Sequence, residues 1–211
     1  RYLSPRSPYP TLAIPVQGIG NWCSPLMTAN IDDSGLRKRA GTKNRICLPQ
    51  GIPFATPGNA EGKNIIFTSR WDNYPPEATV PLSGRASHAY LLMAGSTNYM
   101  QSRFSNGEVI VDYADGTQDK LVLRNPETWW PIEQDYFIDG YAFPLVAPHP
   151  VRVHLKTGEM TTRLEKEQKI DGGAATVLDL SLDSSRELKD LKLVTLANEV
   201  VIGLMAVTLA K

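Results

Sequence analysis

The side chains best suited to chemistry are concentrated between Asn125 and Tyr141, NPETWWPIEQDYFIDGY, where Trp129, Trp130, Tyr136 and Tyr141 stand among Glu127, Glu133, Asp135 and Asp139. Aromatic faces cover the apolar C–H side of a pyranose, while carboxylates and amides bind its hydroxyls. Trp129, Trp130, Glu133, Asp135 and Tyr136 are therefore candidate sugar contacts. On an extended strand Glu133 and Asp135 point to one side, which also makes them the candidate acid and base of a glycosidase. That reaction depends on their separation across a bound sugar, which spacing in sequence does not fix. The structural alternative puts a tryptophan in the core and lets the acids cap turns. At least one of Trp129 and Trp130 is expected in the core, because neighbouring side chains on a strand face opposite ways.

Two further segments mix the same residue types. Thr68 to Pro76, TSRWDNYPP, offers Trp71, Asp72, Asn73 and Tyr74, either as the lining of a ligand cleft or as a turn that Asp72 or Asn73 closes onto its own backbone. Gly95 to Phe104, GSTNYMQSRF, ends with Arg103, which can clamp a carboxylate or a loop carbonyl.

Other chemistries lack their signatures. No glycine-rich turn leads into the Lys-Ser/Thr of a phosphate loop, and His88, His149 and His154 lack the helical pair of a zinc protease. No nucleophile elbow is present. No cofactor is indicated, and calcium is the one ion left open, since its oxygen ligands leave little sequence signature. The 22 basic and 22 acidic residues cancel, so the footprint of a nucleic-acid binder is missing. The most apolar run, Val200 to Ala210, is well short of the ~20 residues of a membrane helix and reads as a buried strand.

The elements that must position these groups read as one antiparallel β architecture. Pro5, Pro8, Pro10, Pro15 and Pro25 disfavour regular structure at the start, and Asp32 to Arg45 reads as a loop or linker whose Arg37, Lys38 and Arg39 form a solvated face. Residues 1–45 are thus expected to be a proline-rich, polar extension of a β-sandwich domain over 46–211. Within that domain Ile46 to Thr56 reads as a broken edge strand, and Asn64 to Ser69, Ala78 to Leu82 and Ala86 to Ala94 as strands. The last, nearly continuous in apolar residues, suits a strand covered on both faces. Glu108 to Tyr113 and Lys120 to Arg124 flank Asp115-Gly116, a hairpin signal. Val151 to Leu155 alternates with Arg152 and His154 as a half-buried strand does, and Thr176 to Leu182 also alternates. Ser184 to Lys189 fits one helical turn with a capping box. Leu191 to Leu196 and Glu199 to Leu209 are expected to close the sequence as a hairpin. Cys23 and Cys47 are either one disulfide or two buried thiols. Arg1 in the place of a methionine, with no signal-peptide pattern, suggests a processed or excised chain.

Taken together, WDNYP, PLSGRASHAYLLMAGSTN, VDYADGT and NPETWWPIEQDY resemble the domain-of-unknown-function 4450 family of exported proteins from polysaccharide-degrading gut bacteria, over roughly Gly51 to Lys211. The segments His88 to Ser96 and Val200 to Leu209 are similar to strands of galactose-binding-like sandwich domains. These resemblances imply a jelly-roll or galactose-binding-like sandwich that is periplasmic or extracellular. They also imply glycan, or the catalytic region of a glycosidase, as partner, and they carry no catalytic residues. A non-catalytic accessory domain is the leading expectation, ahead of a glycoside hydrolase using Glu133 and Asp135 and of a purely structural interaction module.

Overall fold

A computed structural model of the chain describes residues 1–9, 11, 12, 14, 31–70, 74–97, 103–125, 127–133, 149–162 and 170–211. In chain order the elements are β1 (Tyr2–Leu3), helix α1 (Ser34–Ala40) with a 3-10 turn (Gly41–Lys43), β2 (Arg45–Cys47), β3 (Pro53–Ala55), β4 (Ile66–Ser69), β5 (Glu77–Pro81), β6 (His88–Met93), β7 (Ser96–Thr97), β8 (Ser105–Tyr113), β9 (Gln118–Arg124), β10 (Arg152–His154), β11 (Met160–Thr161), β12 (Ala174–Ser181), β13 (Leu188–Thr195) and β14 (Val200–Ala210). The larger sheet runs β1-β14-β6-β12-β10-β11, with β4 and β7 also paired to β14. The smaller runs β5-β13-β8-β9, and β2-β3 is a separate hairpin. Every pairing between the strands named above is antiparallel. The protein is an all-β antiparallel sandwich.

The alternation in the strands decides the layers. Leu178 and Leu180 of β12, Ala89 and Leu91 of β6, and Leu204, Val207 and Leu209 of β14 face Val109, Val111, Leu191 and Leu193 of the smaller sheet, forming the main core. The opposite face of the larger sheet carries a second core, where Leu92, Ala175, Val201 and Met205 pack against Leu36, Ala40, Ile46 and Phe54. From Leu91 to Met93 β6 is covered on both faces, as its apolar run requires. The β8–β9 turn has Gly116 at φ 87°, a left-handed conformation that glycine adopts without a Cβ clash.

Six local expectations are corrected. Asp32 to Arg45 is not a loop: it holds α1, which lays Leu36, Arg37 and Ala40 against the second core. Arg37, expected in solvent, is only 6% exposed. It pairs with Asp33 at 2.9 Å and donates to the carbonyls of Asn59 and Gly62, both at 2.7 Å. Ser184 to Lys189 forms a turn instead of a helix, because Asp183 Oδ1 accepts from both the amide (2.9 Å) and hydroxyl (2.6 Å) of Ser185 and β13 already begins at Leu188. β13 and β14 are not a hairpin, since they belong to different sheets and the chain crosses the sandwich between them. Arg152, expected on a half-buried face, is fully buried, with Nη2 donating to Pro131 O (3.0 Å) and Ala174 O (3.3 Å). Cys47 is a free, exposed thiol, not a buried one, while Cys23 lies outside the described residues. Among the described residues no helix is long and apolar enough to cross a membrane.

The turns joining β8 to β9 and β12 to β13 meet through Arg186, which donates to Asp115 Oδ2 (2.6 Å), Asp183 Oδ2 (2.9 Å) and Thr117 Oγ1 (2.7 Å). Bonds from the Ser185 hydroxyl and amide, reinforced by Arg186, hold the Asp183 carboxyl at about 2, below its ordinary 3.8. A depressed folded-state pKa adds stability that is complete above the unfolded value and is lost as pH falls through the folded one. The melting temperature of Asp183→Asn is therefore expected to lie below wild type at neutral pH, with the gap closing as pH falls from about 4 to about 2. A gap that persists unchanged at pH 2 would show that the carboxylate charge contributes nothing.

Candidate ligand-binding pole

Register places the ends of seven strands at one end of the sandwich. Val201 pairs with Ser69 at the end of β4, and Val200 with Thr97 at the end of β7. Val194 pairs with Glu77 at the start of β5, Thr195 with Gly107 near the start of β8, and Ser105 with Arg124 at the end of β9. The connections that follow Ser69, Thr97 and Arg124 are those the sequence singles out for aromatic, amide and acidic side chains. Segments far apart in the chain thus leave the sandwich at one pole.

A buried polar framework holds this pole. Thr68 Oγ1 and Thr195 Oγ1 share a 2.8 Å hydrogen bond, and Ser69 Oγ donates to Val200 O at 3.0 Å. Asn106, fully buried, is the central node: its Oδ1 accepts from Trp129 Nε1 (3.0 Å), its carbonyl from Leu196 N (2.9 Å) and Ala197 N (3.1 Å), and its Nδ2 donates to Phe104 O (3.3 Å). Arg70 Nη1 donates to Leu196 O at 3.0 Å, and Arg103 N to Asn125 O at 2.8 Å. From Trp129 the chain continues as an added rung of the larger sheet, with Ile132 N bonded to Gly95 O (2.7 Å), Ala174 N to Ile132 O (2.7 Å) and Ile170 N to Glu133 O (2.9 Å). Gly95 permits that approach, because a Cβ there would lie 2.7 Å from both Trp129 Cζ3 and Val201 O.

The candidate residues divide sharply. Trp129 is in the main core. Trp130 is 6% exposed and Glu133 is also buried, so neither described tryptophan is an open sugar platform. Tyr74 is half-buried, its ring edge-on to Phe67 at 5.6 Å, and burial raises its hydroxyl pKa above the ordinary tyrosine value. It is therefore a neutral donor at physiological pH. Arg103 is exposed. Trp71, Asp72, Asn73, Asp135 and Tyr136 lie outside the described residues. Among the described residues no three His, Cys, Asp or Glu side chains gather as a metal site.

Two features of the pole have no counterpart in the sequence reading. Phe104, 41% exposed, and Leu196 are large apolar side chains left in solvent, and both flank Asn106 through the hydrogen bonds above. Arg103 and Glu199 adopt left-handed backbone conformations, φ 66° and 54°, that non-glycine residues avoid. Such conformations persist where the surroundings enforce them and cluster at functional sites. A single apolar residue beside an arginine gives no periodic signal, and backbone conformation is not written in side-chain pattern.

Fold and pole define an antiparallel β-sandwich in which β4, β7 and β9 end at one pole. No protein-family model matches the chain, and no curated protein is significantly similar to it.

Proposed function

We propose that this domain is a non-catalytic accessory module of an exported carbohydrate-processing system and that it takes glycan on the pole described above. The observation that carries this reading is that β4, β7 and β9 end at one pole of the sandwich, where Arg103, Phe104 and Leu196 are exposed, since binding residues are characteristically held on loops at the ends of a scaffold. The family resemblance supplies the carbohydrate context. Accessory binding is preferred over hydrolysis because Glu133, one of the two candidate acids, is buried, and a general acid must reach the proton it transfers.

Exposed Phe104 and Leu196 also favour a second use of the same pole, contact with a glycosidase catalytic region, since apolar side chains ringed by polar ones mark protein interfaces. A glycan-array screen of the purified domain separates the two. Glycan binding without turnover is the expected result, and silence across a broad array would favour the packing role. Phe104→Ala is expected to weaken glycan affinity about tenfold, the equivalent of ~1.4 kcal/mol, with the melting temperature unchanged because the ring is exposed. Full affinity in both Phe104→Ala and Leu196→Ala would remove the pole from the binding site.

A further inference from the structure

Among the described residues, the second face of the larger sheet is covered only in part. Its outer layer reaches Thr208, whose hydroxyl donates to Pro53 O of the β2–β3 hairpin. Past that point the rows of the sheet are Thr208, Tyr90 and Asp179, then Tyr2, Ala210, His88 and Ser181, side by side on β1, β14, β6 and β12. Alternation puts all of them on the face away from the main core. An uncovered sheet face is ordinarily polar, yet this one carries Tyr2, 41% exposed, and the rings of His88 and Tyr90, stacked at 5.5 Å with an 8° interplanar angle. In its row the small side chain of Ala210 lies between Tyr2 and His88, and Ser181 follows His88.

The polar groups here are arranged to recognise hydroxyls. His88 Nδ1 is bonded to Asp179 Oδ1 at 2.8 Å. Asp179, exposed on the sheet, keeps further acceptor capacity. The phenol of Tyr90 is held protonated by burial and by the neighbouring Asp179 and Tyr2, so it is a donor. Donor and acceptor groups thus stand beside apolar ring surface, the combination that binds a polyhydroxylated ring.

We infer that Tyr2, His88, Tyr90 and Asp179 form a second saccharide-binding surface on the open face of the larger sheet, separate from the loop pole. The inference rests on the carbohydrate reading above and adds a site to it. β6 carries His88 at one end and runs toward the pole at the other, so the five rises from His88 to Met93 span about 17 Å at ~3.3 Å per residue. One polysaccharide chain has the length to meet both.

The test uses the isotopically labelled domain titrated with soluble xylan, mixed-linkage β-glucan, galactomannan and pectic galactan, with affinity read by calorimetry and location by amide chemical shifts. At least one polysaccharide is expected to bind and to shift residues 88–90 and 179–181. Tyr2→Ala and Asp179→Asn, both at exposed positions, are expected to weaken it about tenfold with unchanged melting temperatures. Binding with shifts confined to residues 103–106 and 196–199, and full affinity in both variants, would overturn the second surface while leaving the carbohydrate reading intact. Binding of none of the four would overturn the carbohydrate reading, and the second surface with it.

Discussion

Trp129→Ala is expected to lower folding stability by about 3–5 kcal/mol, the cost of truncating a buried aromatic side chain in a core that cannot close around the loss. Trp129 packs in the main core, and its indole fills the space that Gly95 leaves open. The replacement also removes the donor bonded to Asn106 Oδ1 at 3.0 Å, leaving a fully buried amide oxygen without that proton. Asn106 ties Phe104, Leu196 and Ala197 together, so the damage reaches the pole. Urea unfolding should show a lower midpoint with an unchanged slope. Trp129→Phe should recover part of the loss, because it restores ring volume without the N–H. A change under about 1 kcal/mol for Trp129→Ala would mean that the indole is not in the core. An exposed sugar platform would behave that way, with affinity falling and stability intact.

The same residue shows what sequence could disclose. Adjacent tryptophans on an extended segment suggest that one faces inward, but here both are buried. The segment around them is not an ordinary edge: Ile132 is bonded to Gly95 on one side and Ala174 on the other, so the chain here is flanked by two parts of the larger sheet. That covering depends on contacts distant in sequence and has no local signature. By contrast, the β8–β9 hairpin is legible because Asp115-Gly116 accepts the positive φ of the turn, and β12 because Leu178 and Leu180 alternate with Val177 and Asp179. β13 and β14 illustrate the limit. Two apolar strands with a four-residue connection fit either a hairpin within one sheet or an arch between two, and both strands bury one face in either case. That β4 and β7 end where β5 and β8 begin follows from the pairing of β14 with both β4 and β7 and of β13 with both β5 and β8. The chemical composition of the site was therefore readable in part, but its assembly was not.

Arg37→Ala is expected to destabilise the protein by about 3–5 kcal/mol, whereas Lys38→Ala should stay within about 0.5 kcal/mol of wild type. These neighbours look alike as a basic run, and the helix separates them. α1 turns Leu36, Arg37 and Ala40 toward the second core and leaves Lys38 and Arg39 exposed. The Arg37 guanidinium meets Asp33 at 2.9 Å one helical turn earlier, and the same carboxylate oxygen accepts from Asn64 Nδ2 at 2.7 Å. Its other terminal nitrogen holds the carbonyls of Asn59 and Gly62, fastening the connection between β3 and β4 to the helix. Removing only the arginine leaves a largely buried carboxylate and two carbonyls without their charged donor, so the loss exceeds the net worth of an intact pair. Arg37→Lys keeps the charge but cannot reproduce the planar fork and should fall between wild type and Arg37→Ala. Combining Arg37→Ala with Asp33→Asn should cost less than the sum of the two single changes, because the double variant leaves no buried charge unpaired. Denaturant unfolding of the four variants and Lys38→Ala supplies every quantity needed. Equal, small effects at Arg37 and Lys38 would return the whole basic run to solvent and remove α1 from the packed layer over the sheet.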